Sequence, residues 1–247
     1  YLEYPSLLYT KLIRESSDLS FGIEVVLKAF EINGFSVQKF LNATSNKVKI
    51  IYLSTDAVFP SLTHQAKELD FVNPENVYGK SKELGEFFLN SLIDRNYTII
   101  RTTIVGLNIN NKKIGFVEWI INTAKESKEL GMFTYVLFSP ISIWNLVDEI
   151  VFLINTDNIN SETLHIAGEL CTKYKFGREL LETLCLPTNK LFENLISSYE
   201  DRAKRSNDQS LDSSFYQKKY NKKEFSFLFH GGEPFLVPVG QMRKVYD

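Results

Sequence analysis

Apolar and polar positions alternate along the chain in a way that predicts helices separated by short apolar strands. Apolar residues recur at helical spacing over residues 23–43, although Asn33-Gly34 interrupts them with a dipeptide typical of turns. Residues 48–53 and 97–101 are short β-branched runs, as expected of buried parallel strands. Residues 1–22 give no clear pattern beyond a possible strand or helix end and a loop over 14–22.

A helix is predicted between these two strands. Asn73 has the character of a helix cap and Pro74 suits the first helical position, so the helix should run from there to about residue 93. Strand, helix and strand in this order form a right-handed βαβ unit.

Later segments extend the same alternation and include one hairpin. Gly231-Gly232 joins two β-rich runs within residues 225–239, which favours a hairpin. The remaining predicted elements are helices over 116–130, 142–155 (capped by Ser142) and 172–184, and a strand over 163–167. Together these elements predict an α/β fold with a parallel sheet.

Composition narrows the range of partners. The chain has 247 residues, 44% apolar and 23% charged, which is typical of a globular protein. A formal net charge of −2 gives no electrostatic reason to expect nucleic acid or a membrane. No apolar run reaches the roughly 18 residues of a membrane span. Two cysteines and three scattered histidines favour a cytoplasmic protein without a metal site.

Candidate chemistry lies where the first clear strand ends. Ser54-Thr55-Asp56 follows the strand, at the edge where open α/β sheets bind ligands. Tyr78 and Lys82 are four residues apart, so they share one face of the next helix. A free tyrosine has a pKa of about 10, and a nearby ammonium group lowers it. A proton-transfer site is therefore predicted, although Tyr-x-x-x-Lys pairs also occur by chance on exposed helices.

Two glycines in the same helix call for an explanation. Gly79 and Gly85 should each cost the helix about 1 kcal/mol relative to alanine. Close approach of another backbone is one reason to keep them.

Three segments carry a family resemblance. STDAVF (54–59), NPENVYGKSKELGE (73–86) and IIRTTIVG (99–106) resemble the extended short-chain dehydrogenase/reductases. Among these they are most similar to the dTDP-4-dehydrorhamnose reductases and related nucleotide-sugar enzymes. The resemblance covers roughly residues 26–215 in the family's order.

The resemblance implies a fold and an activity. The fold would be a Rossmann-like doubly wound parallel sheet, with its cofactor-binding part over residues 1–106. Residues 107–247 would form a mixed, mainly substrate-binding part, from which the strand over 163–167 returns to the sheet. The activity would be reduction of a keto group on a nucleotide-activated sugar with NADP or NAD as cofactor. A homodimer is possible.

The resemblance also implies roles for particular residues. Tyr78 would be the general acid, Lys82 would lower its pKa and bind the nicotinamide ribose, and Thr55 would polarise the substrate carbonyl. Further cofactor contacts would come from Ser54, Arg101, Thr102 and Thr103, with Tyr78 and Lys82. Substrate contacts would come from Asp56, Val58 and Asn33.

The sequence departs from the family at its start. None of the twelve glycines forms the G-x-x-G-x-x-G turn that holds the cofactor pyrophosphate, and the first strands of the sheet are not found. Three explanations are open: a longer protein supplies them, the fold has degenerated, or residues 1–22 form a divergent first strand. The alternatives in function are a non-catalytic regulatory or binding module, and a nucleotide-sugar epimerase or dehydratase.

Overall fold

The computed structural model describes residues 19–61, 63–92, 95–108, 114–156, 161–194 and 207–225. The helices are α1 (Leu19–Phe30), α2 (Ser36–Ala43), α3 (Val77–Asn90), α4 (Phe116–Lys125), α5 (Ile143–Asn155), α6 (Lys173–Thr183) and α7 (Ser214–Tyr220). A π-helical turn (Glu31–Phe35) joins α1 to α2, and a 3₁₀ turn (Asp56–Val58) follows the first strand. The strands are β1 (Ile50–Thr55), β2 (Tyr97–Val105), β3 (Leu130–Phe133), β4 (Leu137–Phe138), β5 (Pro140–Ser142), β6 (Glu162–His165), β7 (Cys171–Thr172), β8 (Leu191–Asn194) and β9 (Asp208–Gln209).

The main sheet is parallel and is organised around β2. Strand β1 pairs with the first part of β2 on one side, with Thr55 beside Thr102. On the other side β2 pairs first with β6 and then, near its end, with β5. Two smaller sheets, β3–β8 and β7–β4–β9, lie outside this path. The βαβ unit predicted from the sequence is confirmed, because α3 connects the parallel strands β1 and β2.

Helices cover both faces of the main sheet. Ile99 packs with Leu41 of α2 and Leu89 of α3 on one face. The next residue, Ile100, packs with Leu146 and other residues of α5 on the opposite face. Both isoleucines are 0% exposed. A strand buried on both sides explains why β2 is almost continuously apolar at its start, and the doubly wound arrangement predicted from the sequence is confirmed.

Several predicted boundaries are wrong by a few residues. Helix α3 begins at Val77, because the side chain of Asn76 accepts a hydrogen bond from the Gly79 amide and so caps the helix in place of Asn73. The helix predicted over 116–130 ends at Lys125, and Leu130 already begins β3. Residues 19–22, predicted as loop, are helical.

Some predictions fall partly or wholly outside the described residues. The predicted hairpin over 225–239 lies outside the described residues except for Phe225, which forms a bridge with Gly168. Residues 1–18 also lie outside them, so the possible first strand is not described. Within the described ranges, β1 pairs with β2 alone, and its other edge has no neighbouring strand. In the same ranges, no helix has the length and apolar character needed to cross a bilayer.

Candidate active site

The turn that follows β1 and the first turn of α3 are in close backbone contact. Thr55, the last residue of β1, accepts a hydrogen bond from the Ala57 amide at 3.2 Å and so starts the 3₁₀ turn. Gly79 lies directly against this turn, because a Cβ there would come within 2.2 Å of the Ala57 carbonyl oxygen. This close approach brings the first turn of α3, with Tyr78, to the strand end.

The side chains at this junction form a hydrogen-bonded chain. The Tyr78 phenol is hydrogen-bonded to the Thr55 hydroxyl. Thr55 donates to Oδ1 of Asp56 at 2.8 Å, and Thr103 at the end of β2 donates to Oδ2 of the same carboxylate at 2.7 Å. Thr55, Asp56, Tyr78 and Thr103, all predicted from the sequence, therefore lie together at the carboxyl edge of the sheet.

Burial raises the pKa of the Asp56 carboxyl above its ordinary value, against the hydrogen bonds from Thr103 and Thr55 and the positive charge of Lys173. The carboxyl therefore favours its protonated form more than an exposed aspartate does.

The pKa of Tyr78 moves opposite to the prediction. The sequence predicts that Lys82 lowers it, but burial and the negative charge of Asp56 raise the pKa of Tyr78 to about 12, and the hydrogen bond with Thr55 only partly opposes them. At neutral pH the phenol is therefore protonated, which is the state that a general acid needs.

The Lys82 ammonium lies over an aromatic ring. Its Nζ is 4.5 Å from the centroid of the Tyr52 ring, on β1. Burial lowers the pKa of Lys82 to about 8, although the negative charge of Glu86 opposes this effect. Among the described residues, no carboxylate forms an ion pair with Lys82 and no protein acceptor takes a hydrogen bond from it. Three ammonium N–H donors are thus available to a ligand.

Ser54 and Arg101 have partners elsewhere. Arg101 Nη2 is 2.7 Å from Oε2 of Glu86, its Nε donates to Oε1 at 3.1 Å, and Nη1 donates to the Glu68 carbonyl at 3.2 Å. The Ser54 hydroxyl donates to the same Glu86 carboxylate. Three of the five N–H donors of Arg101 and the Ser54 hydroxyl proton are thus used within the protein. We assign these side chains to the support of α3 on the sheet, and their cofactor contacts stay a prediction.

The other predicted residues, Val58, Asn33 and Thr102, differ in the burial and the hydrogen bonding of their side chains. Val58 is 0% exposed and packs with Phe59 and Leu211, and its substrate contact stays a prediction. The Asn33 side chain donates to Ser81 at 3.0 Å. The Thr102 hydroxyl is buried and has no hydrogen-bond partner among the described residues.

Two residues of this site were missed by the sequence analysis. Glu86 lies one helical turn beyond Lys82, so a buried carboxylate was foreseeable from the face that Tyr78 and Lys82 define. Tyr52 lies two residues before Ser54, and alternation along β1 directs both toward α3. Neither the helical spacing of Glu86 nor the strand alternation of Tyr52 alone distinguishes a site residue from a residue that only packs.

The glycine contact gives a first prediction. We expect Gly79→Ala to lower the free energy of unfolding by about 1–3 kcal/mol, since the added methyl group must displace backbone and not a flexible side chain. Denaturant unfolding measures this loss. Lys80→Ala changes an exposed neighbour on the same helix and serves as the control; equal stability of the two variants would contradict the close packing inferred here.

Comparison with known proteins gives a family. Residues 24–227 match the family described as "RmlD substrate binding domain". The chain belongs to this family. The resemblance found in the sequence is thereby confirmed.

Curated relatives extend the match. The chain is 30% identical over 165 residues to the spore coat polysaccharide biosynthesis protein SpsK of Bacillus subtilis, which covers 65% of this chain and 56% of SpsK. It is 25% identical over 209 residues to a dTDP-4-dehydrorhamnose reductase of Aggregatibacter actinomycetemcomitans, covering 79% of this chain and 69% of that protein. The match thus spans little more than half of SpsK.

Solved structures agree with the fold. A hypothetical dTDP-4-dehydrorhamnose reductase from Sulfolobus tokodaii is 33% identical with a TM-score of 0.68, over 81% of this chain and 69% of that one. The dTDP-4-dehydrorhamnose reductase of Bacillus anthracis, solved in complex with NADP, is 21% identical with a TM-score of 0.71, over 91% and 83%. The Rossmann-like fold of the dehydrogenase/reductase class predicted from the sequence is confirmed.

Proposed function

We propose that this chain carries the catalytic residues of an NAD(P)H-dependent reductase that acts on a keto group of a nucleotide-activated sugar. The observation that carries the proposal is the junction of β1 and α3, where a protonated phenol contacts a threonine hydroxyl. One helical turn away is Lys82, which forms no ion pair with an acidic residue in the described part of the chain. The names of the curated relatives support the sugar substrate, and the match to the family supports the reaction class.

The available donors fit the nicotinamide end of such a cofactor. Within the described ranges the ammonium protons of Lys82 have no protein acceptor, and ribose hydroxyls are suitable acceptors for them. The buried Thr102 hydroxyl, which lies on β2 beside Thr55, lacks a partner among the described residues and supplies a second polar contact. Bound NADPH or NADH would supply the hydride for the reduction.

Each residue then has a distinct task. Tyr78 protonates the carbonyl oxygen of the sugar as the carbon is reduced, and its raised pKa keeps this proton in place beforehand. Thr55, whose hydroxyl is hydrogen-bonded to the Tyr78 phenol, positions that phenol beside the oxygen. Asp56, which accepts hydrogen bonds from Thr55 and Thr103, holds the Thr55 side chain in position.

The test is turnover of NADPH by the full-length gene product with dTDP-4-dehydrorhamnose, measured across a range of pH. We expect turnover that is flat below pH 8 and falls above it, because Lys82, whose pKa is about 8, must be charged to bind ribose. Since Tyr78 has a pKa of about 12, it stays protonated through this range and does not produce the decline. The profile of kcat/KM reports the free enzyme.

Lys82→Arg is the matched control for the pH profile. A guanidinium group stays charged up to about pH 12, and the alkaline decline near pH 8 should therefore disappear even where overall activity is reduced. A decline that persists in Lys82→Arg would reject Lys82 as its source.

If the native protein neither binds NADPH in a calorimetric titration nor turns over the sugar, the reductase proposal is rejected in favour of a binding or regulatory role.

A further inference from the structure

The contact between Lys82 and Tyr52 is unusual for a lysine that lies largely away from solvent. Such a lysine normally pairs with a carboxylate, since burial of an unpaired charge is costly. Here Nζ lies 4.5 Å from the centre of an aromatic ring. The face of an aromatic ring is electron-rich and attracts a cation, most strongly where water is excluded.

Two nearby carboxylates, Glu86 and Glu31, are paired with other groups. Glu86, one turn along α3, is bonded to Arg101 and Ser54. On the π-helical turn that packs against α3, Glu31 is 3.8 Å from Lys39 on the exposed surface. Tyr78, on the same helix as Lys82, is a neutral phenol at neutral pH. The Tyr52 ring is therefore the group that holds the ammonium, with Glu86 acting only at longer range.

The Tyr52 ring is itself fixed. Its hydroxyl donates to the Asn33 carbonyl oxygen at 2.9 Å and lies 3.2 Å from the Lys82 carbonyl oxygen. Gly85 borders it so closely that a Cβ there would come within 2.3 Å of this hydroxyl. The π-helical turn, β1 and α3 thus meet at one phenol, and this contact explains why residue 85 is a glycine.

We propose that Tyr52 is a positioning residue for Lys82, and that its ring holds the ammonium in place without using any of its hydrogen-bond donors. A carboxylate partner would accept those N–H groups and would compete with a ligand, whereas a ring face leaves them free. The Tyr52 hydroxyl serves a separate purpose, the attachment of the ring to the π-helical turn. The location of Lys82 follows from this geometry alone, while its consequence for cofactor binding rests on the proposed function.

The two parts of the tyrosine can be tested separately. Tyr52→Leu removes the ring, and Tyr52→Phe retains the ring but removes the hydroxyl. In the cofactor-free full-length protein, competitive labelling with acetic anhydride at a series of pH values, followed by peptide mass spectrometry, reports the pKa of Lys82. Exposed Lys80 on the same helix is the internal reference.

We expect the pKa of Lys82 to stay near about 8 in Tyr52→Phe and to fall to about 7 in Tyr52→Leu, because the desolvated cation loses its attractive partner. The affinity for NADPH at pH 8 should fall about fivefold in Tyr52→Leu, in line with the smaller charged fraction of Lys82, and stay within about twofold in Tyr52→Phe. Tyr52→Met, which fills similar space without a ring, replaces Tyr52→Leu if the latter does not fold.

Two results would overturn the positioning role. One is a native labelling profile in Tyr52→Leu, and the other is an equal change in the Phe and Leu variants, which would assign the effect to the hydroxyl. Because labelling needs no cofactor, its outcome stands apart from the proposed reductase function. A native protein that shows the expected labelling but does not bind NADPH would reject the function and keep the location of Lys82.

Discussion

Tyr78→Phe should reduce turnover of a nucleotide-linked keto sugar by a factor of about 10²–10⁴, the usual contribution of a positioned general acid. Phenylalanine fills the same space beside Thr55 but has no proton to give to the carbonyl oxygen. The raised pKa of Tyr78, about 12, means that the lost group is a fully protonated acid across the accessible pH range. Steady-state kinetics of the full-length protein measure the loss.

The variant should keep its fold and its cofactor site. Among the described residues, the Tyr78 hydroxyl has a single hydrogen-bond partner, Thr55, so the stability cost should be about 1 kcal/mol. Lys82 is unchanged, and NADPH should bind as it does to the native protein. Tyr97→Phe is the matched control, because the Tyr97 hydroxyl bonds Asn90 at 2.9 Å at the opposite end of the strands. Turnover in Tyr78→Phe equal to that of Tyr97→Phe would remove Tyr78 from its proposed role.

The catalytic spacing was predictable because it depends on local geometry. Tyr78 and Lys82 are one turn apart in any α-helix, and Thr55 ends a strand that its own β-branched sequence predicts. The parallel pairing of β1 and β2 also follows from a short strand, helix and strand in series. These features need no knowledge of the rest of the molecule.

The electrostatics of the site were not predictable in the same way. The pKa of Tyr78 depends on how deeply α3 packs and on the charge of Asp56, and both are tertiary properties. The position of the Lys82 ammonium depends on Tyr52, thirty residues earlier in the chain and on a different element. The sequence spacing predicts that Lys82 lies one helical turn from Tyr78, but it does not predict the contact between the Lys82 ammonium and the Tyr52 ring.

The start of α3 illustrates a further limit. Asn73-Pro74 has the composition of a helix start, yet the helix is capped by Asn76. Pro74 instead packs beside Gly79, where a Cβ would come within 2.7 Å of it. Two asparagines three residues apart are equally good caps by residue type, and only the contact with the 3₁₀ turn decides between them.

The ion pair of Glu86 and Arg101 gives the largest expected effect on stability. Their side chains are 4% and 5% exposed, and a charge left alone at such a site keeps its full desolvation cost. Glu86→Gln should therefore lower the free energy of unfolding by about 3–5 kcal/mol, since Arg101 loses its counter-charge while the shape is preserved. Denaturant unfolding followed by circular dichroism measures the change.

An exposed pair of similar geometry provides the control for this prediction. Arg178 and Glu182 lie 2.8 Å apart on α6 with side chains 59% and 50% exposed, so Glu182→Gln should cost at most about 1 kcal/mol. The double variant Glu86→Met, Arg101→Met removes both charges and should lose less stability than Glu86→Gln alone, because no uncompensated charge remains. If Glu86→Gln costs no more than Glu182→Gln, then the pair is not what fixes α3 on the sheet, and the support assigned to Ser54, Glu86 and Arg101 is wrong.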